Sequence, residues 1–164
     1  FSRPFARVVF SNVAVVAPFD GVPTLMFRTA NQRGEAILDA SVIVTLARQH
    51  TTVEGVTMRR FQELKLLRSN TALFALSWTV MHPILAGSPL FGATPESLAA
   101  QDARIIVTMT GLDETFSATI HARHVYSQEA IVWNHRFVDI LGESDDGVQT
   151  LDYRRFNQVE PADR

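Results

Sequence analysis

The chain has 164 residues, with 15 Lys and Arg against 17 Asp and Glu, a formal net charge of −2 and no cysteine. A chain of this length suits one domain that buries roughly 70% of its unfolded surface without a staple, and the missing cysteines exclude disulfides, zinc fingers and cysteine nucleophiles together. Acids and bases are interspersed with no polybasic run, so no nucleic-acid partner is expected, and the longest mostly apolar run, 72–81, falls short of the roughly 18 residues a spanning helix needs.

In chain order, residues 1–10 do not read as a signal peptide, because Arg3, Pro4 and Arg7 interrupt any apolar core. Runs 13–17 and 22–27 flank Pro18-Phe19-Asp20-Gly21, and the Asp-Gly pair, which favours positive φ, predicts a hairpin. Residues 40–48 are dense in β-branched side chains and predict a strand that 50–55 breaks. Residues 58–67 put Leu64 and Leu66 on one face and Glu63 and Lys65 on the other, the period of a half-buried strand. Runs 73–81, 104–109, 117–126 and 130–140 each predict a further strand. One helix start is well formed: Thr94 as the capping hydroxyl, Pro95 at the first helical position and Glu96 in the first turn, with the helix running to Ala100. A second brief helix is expected near Pro89. Seven or more short strands with turns about every ten residues predict an all-β, antiparallel sandwich with one or two short helices. Residues 1–10 are read as a linker and first strand, 11–159 as the domain, and 160–164 as a frayed tail.

The five histidines invite a metal reading, and His121 and His124 are the closest pair. On a strand, their spacing of three sends the two rings to opposite faces, so no shared metal is expected. His82, before Pro83, reads as a turn histidine bonded to backbone groups, and His135 has no neighbouring carboxylate to orient it. There is no Gly-x-Ser-x-Gly elbow, and the scattered glycines build neither a phosphate loop nor a dinucleotide fingerprint. Asp145-Asp146-Gly147 lacks the spaced acids of a calcium loop and reads as a hairpin turn between Ile140 and Val148. No catalytic residue, metal or cofactor is expected, and the chain does not read as an enzyme.

The order of several motifs carries a resemblance. They are Arg3-Pro4 with Arg7; Phe10-Ser11 through Val16, Asp20-Gly21 and Leu25-Met26-Phe27-Arg28; Asn31-Gln32-Arg33; and Glu54-Gly55. Ser77-Trp78-Thr79-Val80-Met81-His82-Pro83-Ile84 with Ser88-Pro89-Leu90 follows, then Thr110-Gly111 through Leu141, and Asp146-Gly147 through Phe156. In this order they resemble the cytoplasmic C-terminal domain of bacterial inward-rectifier potassium channels, over nearly the whole chain.

The resemblance implies an immunoglobulin-like (E-set) sandwich, a homotetramer arranged as a ring, and potassium ions as the permeant species. It also implies the family's transmembrane helices elsewhere in the same polypeptide, a place on the cytoplasmic face of the bacterial inner membrane, and the voltage-gated class of channels. In a fourfold ring one side chain becomes four, so a single acid can set the local potential. By motif position, Thr110, Gly111, Leu112, Asp113, Glu114 and Thr115 would form the pore loop and gate. Gly111 would allow close approach of symmetry mates, and Leu112 would supply an apolar ring. Glu54, Asp113 and Glu114 are either pore-lining acids or plain solvated loop acids. Arg3 and Arg7 either face anionic lipid or serve solubility, and His135 and Arg136 are candidates for the subunit interface. Departures from the family pattern are Phe5-Ala6 after Arg3-Pro4, Thr110 in place of an acid, Val56 ending the Glu54 turn, Leu85-Ala86-Gly87, and Asn134 where glycine is usual. They argue against a tight phosphoinositide site and strong block by polyamines or magnesium. The alternative is a soluble immunoglobulin-like interaction module with no pore.

Overall fold

The chain opens with three strands of one sheet, β1 (Val8–Phe10), β2 (Ala14–Phe19) and β3 (Val22–Asn31). The computed structural model describes residues 7–162. Asp20 and Gly21 both take positive φ, at 50° and 77°, and close β2 onto β3 as the Asp-Gly pair predicts.

Next come β4 (Ile37–Thr51), β5 (Thr57–Leu64), β6 (Asn70–Phe74), β7 (Ser77–Pro83), α1 (Pro95–Ala100), β8 (Arg104–Asp113) and β9 (Thr119–Ser127). The chain continues through β10 (Ile131–Trp133), β11 (His135–Phe137), β12 (Leu141–Glu143), β13 (Gln149–Leu151) and β14 (Val159–Pro161). One five-stranded sheet runs β1-β3-β2-β10 with β7 also on β3, and the other runs β5-β4-β8-β9 with β6 also on β4. Their inner faces meet over a core that includes Leu25, Phe27, Trp78 and Val80 from the first sheet and Val44, Leu46, Ile105, Val107 and Tyr126 from the second. This is the all-β sandwich expected from the strand pattern. Every pairing in it is antiparallel except β2 with β10, which run parallel.

The first sheet is covered on its outer side as well. Val15, Ala17 and Met26 pack against Phe137 and Val159, and Ala30 packs with Ile140 and Phe156. Arg28, 5% exposed, fastens this outer layer by donating to the carbonyls of Phe156, Val138 and Arg155 at 2.7, 2.6 and 2.8 Å. Its guanidinium lies 4.5 Å from the Phe137 ring centroid. Burial lowers its pKa to about 10, so it remains charged at neutral pH.

Several sequence expectations give way. The run 73–81 is two strands in opposite sheets, because Phe74 is buried on one side and Trp78 and Val80 on the other. The corner at Ala75 and Leu76 contains neither glycine nor proline to announce it. The run 130–140 likewise breaks at Asn134, whose φ of 57° turns the chain out of the first sheet into the outer layer. That is the positive φ for which asparagine substitutes for glycine. β4 extends to Thr51 rather than stopping before His50, and β5 ends at Leu64 rather than at residue 67. Residues near Pro89 form turns, not a helix, whereas α1 begins at Thr94 as expected, with Thr94 and Ser97 capping each other reciprocally. Glu160 and Pro161, expected in a tail, belong to β14.

Candidate functional site

Residues Thr110, Gly111, Leu112 and Asp113, expected as a loop, are the last four residues of β8, paired with β4 on one side and with β9 through Leu112. Only residues 114–118 form the turn. The reason is tertiary. A β-carbon at Gly111 would overlap Ile37 Cγ2 and stand 3.2 Å from the Leu38 carbonyl, so glycine here lets β4 and β8 close together. Its φ is not positive, and its role within the chain is close packing rather than a bend.

Strand alternation then sorts the segment. Gly111 and Asp113 point inward and are buried, while Thr110 and Leu112 point outward and are exposed, Leu112 by 39%. Asp113 is therefore not a solvent-facing acid within the chain. Its carboxylate accepts the N–H groups of Phe116 and Thr115 at 2.7 Å each and pairs with the Arg33 guanidinium. Those donors, Phe116 foremost, hold it below the ordinary carboxylate value of 3.8 against the opposing effect of burial. Glu114 and Thr115 are exposed, and the Thr115 hydroxyl donates to Glu35. The turn is thus strapped twice to the connection between β3 and β4, which is itself anchored where the Gln32 N–H reaches the Arg7 carbonyl at 2.8 Å.

Opposite β8, β4 carries a bulge. The pairing with β8 shifts register between Leu38 and Ser41, and Asp39 takes a left-handed φ of 49°. Sequence reading missed Asp39. Its only signal is a lone acid between Leu38 and a β-branched run. It lines a polar cleft of about 310 Å³ with Ser41, Asn70, Thr71 and Ala72.

The register aligns two rows across the outer face of the second sheet. Asn70, Ser41, Thr110 and His121 form a polar row. Leu73, Leu38, Leu112 and Thr119 form a more apolar row beside it, with Leu73 54% exposed. Unlike the first sheet, this face has no outer layer among the described residues.

The remaining site residues are not gathered here. Glu54 is exposed at the β4–β5 hairpin tip, where Gly55 has φ +90°, at the far end of a 15-residue strand. That places it on the order of 45 Å from the bulge. Arg7 is exposed, and Arg3 lies outside the described residues. His135 and Arg136 sit in the layer outside the first sheet, His135 donating from Nδ1 to the Trp133 carbonyl at 2.7 Å and Arg136 lying 3.5 Å from Glu160. His121 and His124 face opposite ways, His121 exposed and His124 stacked at 5.5 Å on Phe10. Among the described residues no helix is long and apolar enough to cross a membrane.

Comparison with known proteins joins these observations. The pattern of the family described as Inward rectifier potassium channel C-terminal domain matches residues 8–163. The chain is 44% identical over 159 residues to Inward rectifier potassium channel Kirbac3.1 of Paramagnetospirillum magnetotacticum, covering 97% of this chain and 54% of that protein. It is 35% identical over 161 residues to ATP-sensitive inward rectifier potassium channel 8 of Mus musculus, covering 96% and 38%. It is 34% identical over 158 residues to G protein-activated inward rectifier potassium channel 3 of Mus musculus, covering 94% and 40%. The chain therefore spans about half, or less, of the length of these relatives. All are inward rectifiers, so the expected voltage-gated class does not stand, and none is an enzyme.

Proposed function

The chain belongs to the inward rectifier potassium channel C-terminal domain family, and from that premise we propose that four copies form a ring that extends the potassium path of a longer channel on its cytoplasmic side. The observation that carries the reading is the uncovered outer face of the second sheet. There an exposed leucine row at Leu73 and Leu112 adjoins a polar row at Asn70, Ser41 and Thr110, with Asp39 beside it in the bulge. Repeated four times around an axis, Leu112 supplies an apolar constriction, and the polar row with Asp39 supplies oxygens and negative charge for passing potassium ions.

Glu114 and Thr115 lie in the turn that follows, and the double strap from Arg33 and Glu35 ties the position of that turn to the segment at Arg7. Movement transmitted at Arg7, including contact of Arg3 and Arg7 with anionic lipid at roughly 1 kcal/mol per charge, then biases the constriction. Glu54 forms a separate acidic position at the far end of β4, and His135 and Arg136 lie on the outer layer, where a neighbouring copy would meet them.

The cysteine-free chain allows a direct test. Leu112→Cys is expected to give covalent dimers on mild oxidation, whereas Val148→Cys, exposed in a remote hairpin, is not. Sedimentation should show concentration-dependent tetramers. A strict monomer at about millimolar concentration, with no cross-linking through position 112, would overturn the ring and favour an interaction module without a pore.

A further inference from the structure

We propose that His82 is a pH-responsive latch that holds the turn at 85–90 against the end of β5. His82 is 3% exposed on β7, in the first sheet, yet both ring nitrogens reach other elements. Nδ1 lies 2.6 Å from the Lys65 carbonyl, just beyond β5 of the second sheet, and Nε2 lies 2.6 Å from the Ser88 hydroxyl. A carbonyl only accepts, so Nδ1 carries the proton and Nε2 accepts from Ser88. The Ser88 hydroxyl in turn accepts the Leu90 N–H at 3.0 Å, and the Ser88 N–H donates to the Leu85 carbonyl at 2.8 Å. Leu90 is 3% exposed in the main core. One neutral imidazole thus joins both sheets and the connection leading to α1.

Protonation reverses the polarity of one of those bonds. An imidazolium must donate from Nε2, so the Ser88 hydroxyl hydrogen is displaced while its oxygen receives two donors. The charge also has little compensation. Among the described residues, Glu63 and Lys65 are the only charged ones lining the adjoining cleft, and they carry opposite signs. The turn residues 83–90 and the β3 segment 23–25 facing β7 contain no charged residue. Burial accordingly lowers the ring's pKa below 6.5, opposed in part by the Lys65 carbonyl. The cleft, about 320 Å³ and lined by Ser88, Gly87 and Leu85, gives the charged ring access to water once the turn shifts. The latch is intrinsic to one copy and stands whether or not four copies assemble.

The test is nitrogen-15 NMR on the 164-residue chain. At about pH 7 the ring signals should report the Nδ1–H tautomer. As pH falls from about 7 to about 4 the exchange protection of the Leu90 amide, corrected for intrinsic rate, should fall at least tenfold as the ring titrates. In His82→Gln, which keeps a donor and an acceptor but does not titrate, the protection should hold constant over the same range. In Ser88→Ala it should be low at both pH values. An Nε2–H tautomer, an equal loss in His82→Gln, or a titrating ring with steady Leu90 protection would each overturn the latch. So would a ring that stays neutral to about pH 4.

Discussion

Arg33, in the connection between β3 and β4, forms an ion pair with Asp113, the last residue of β8, and both side chains are buried, at 8% and 0% exposure. The pair joins the segment beside Arg7 to the turn that follows Leu112, so it lies between the N-terminal side of the domain and the proposed constriction. Breaking a buried pair from one side strands a charge, which makes the two halves unequal when removed.

Arg33→Met is therefore expected to destabilise the chain more than Asp113→Asn, because it leaves the carboxylate buried with only the Phe116 and Thr115 N–H groups. Asp113→Asn keeps an acceptor for those amides. Chemical denaturation of both variants and of the double variant checks this order. The double variant should cost less than the two single changes added together.

Gly111→Ala is expected to cost about 1–3 kcal/mol through overpacking against Ile37 and the Leu38 carbonyl. Ile37→Ala alone, in a fully buried position, should cost about 2–5 kcal/mol. Combined, the two should show favourable coupling, because truncating Ile37 clears the space that the new methyl group needs. Additive losses would mean that the contact is not what makes position 111 a glycine.

Arg28→Met removes the donors from three carbonyls of the outer layer, and about 3 kcal/mol or more should be lost. Hydrogen exchange should localise the loss to residues 138–156 while the core amides of β4 and β8 remain protected. Arg28→Lys should rescue only part of it, since an ammonium cannot present the planar fork that reaches all three oxygens.

Asn134 holds φ 57° at the corner between β10 and β11. Asn134→Gly is expected to be nearly neutral, whereas Asn134→Val should cost about 1–3 kcal/mol because a β-branched residue is strained there. Thermal melts of the two variants separate this conformational cost from any loss of side-chain contact.

Stability should respond to acid in two steps. His82 and Asp113 both have folded-state pKa values below their ordinary values of 6.5 and 3.8. In each case the unfolded chain binds the proton first, so stability present above the ordinary value is lost as pH falls below it. His82→Gln should reduce the step beginning near pH 6.5, to which the half-buried His124, also held below 6.5 by burial, contributes the rest, and Asp113→Asn should reduce the one beginning near 3.8. Midpoints of denaturant unfolding across pH measure both.

The sequence by itself determined the elements whose signal is local. Alternation around Leu64 placed the inward face of β5, Asp20-Gly21 placed a turn, and Thr94-Pro95 placed a helix start, because each depends on backbone preferences within a few residues. Alternation also sends His121 and His124 to opposite faces, as they stand in the fold. What only the tertiary structure decided was where apolar runs change sheet, as at Ala75–Leu76, since burial on either side of a core looks alike in one dimension. It also decided the fate of the segment from Thr110 to Asp113. A glycine there reads locally as a loop, yet contact with Ile37, 74 positions earlier in the chain, makes it strand and turns Asp113 inward to Arg33. His82 bonds a backbone carbonyl as expected, but from β7 rather than from a turn. Its partners Lys65 and Ser88, like the bulge at Asp39, were not legible for the same reason: pairing register and buried hydrogen bonds join residues that no sequence period connects.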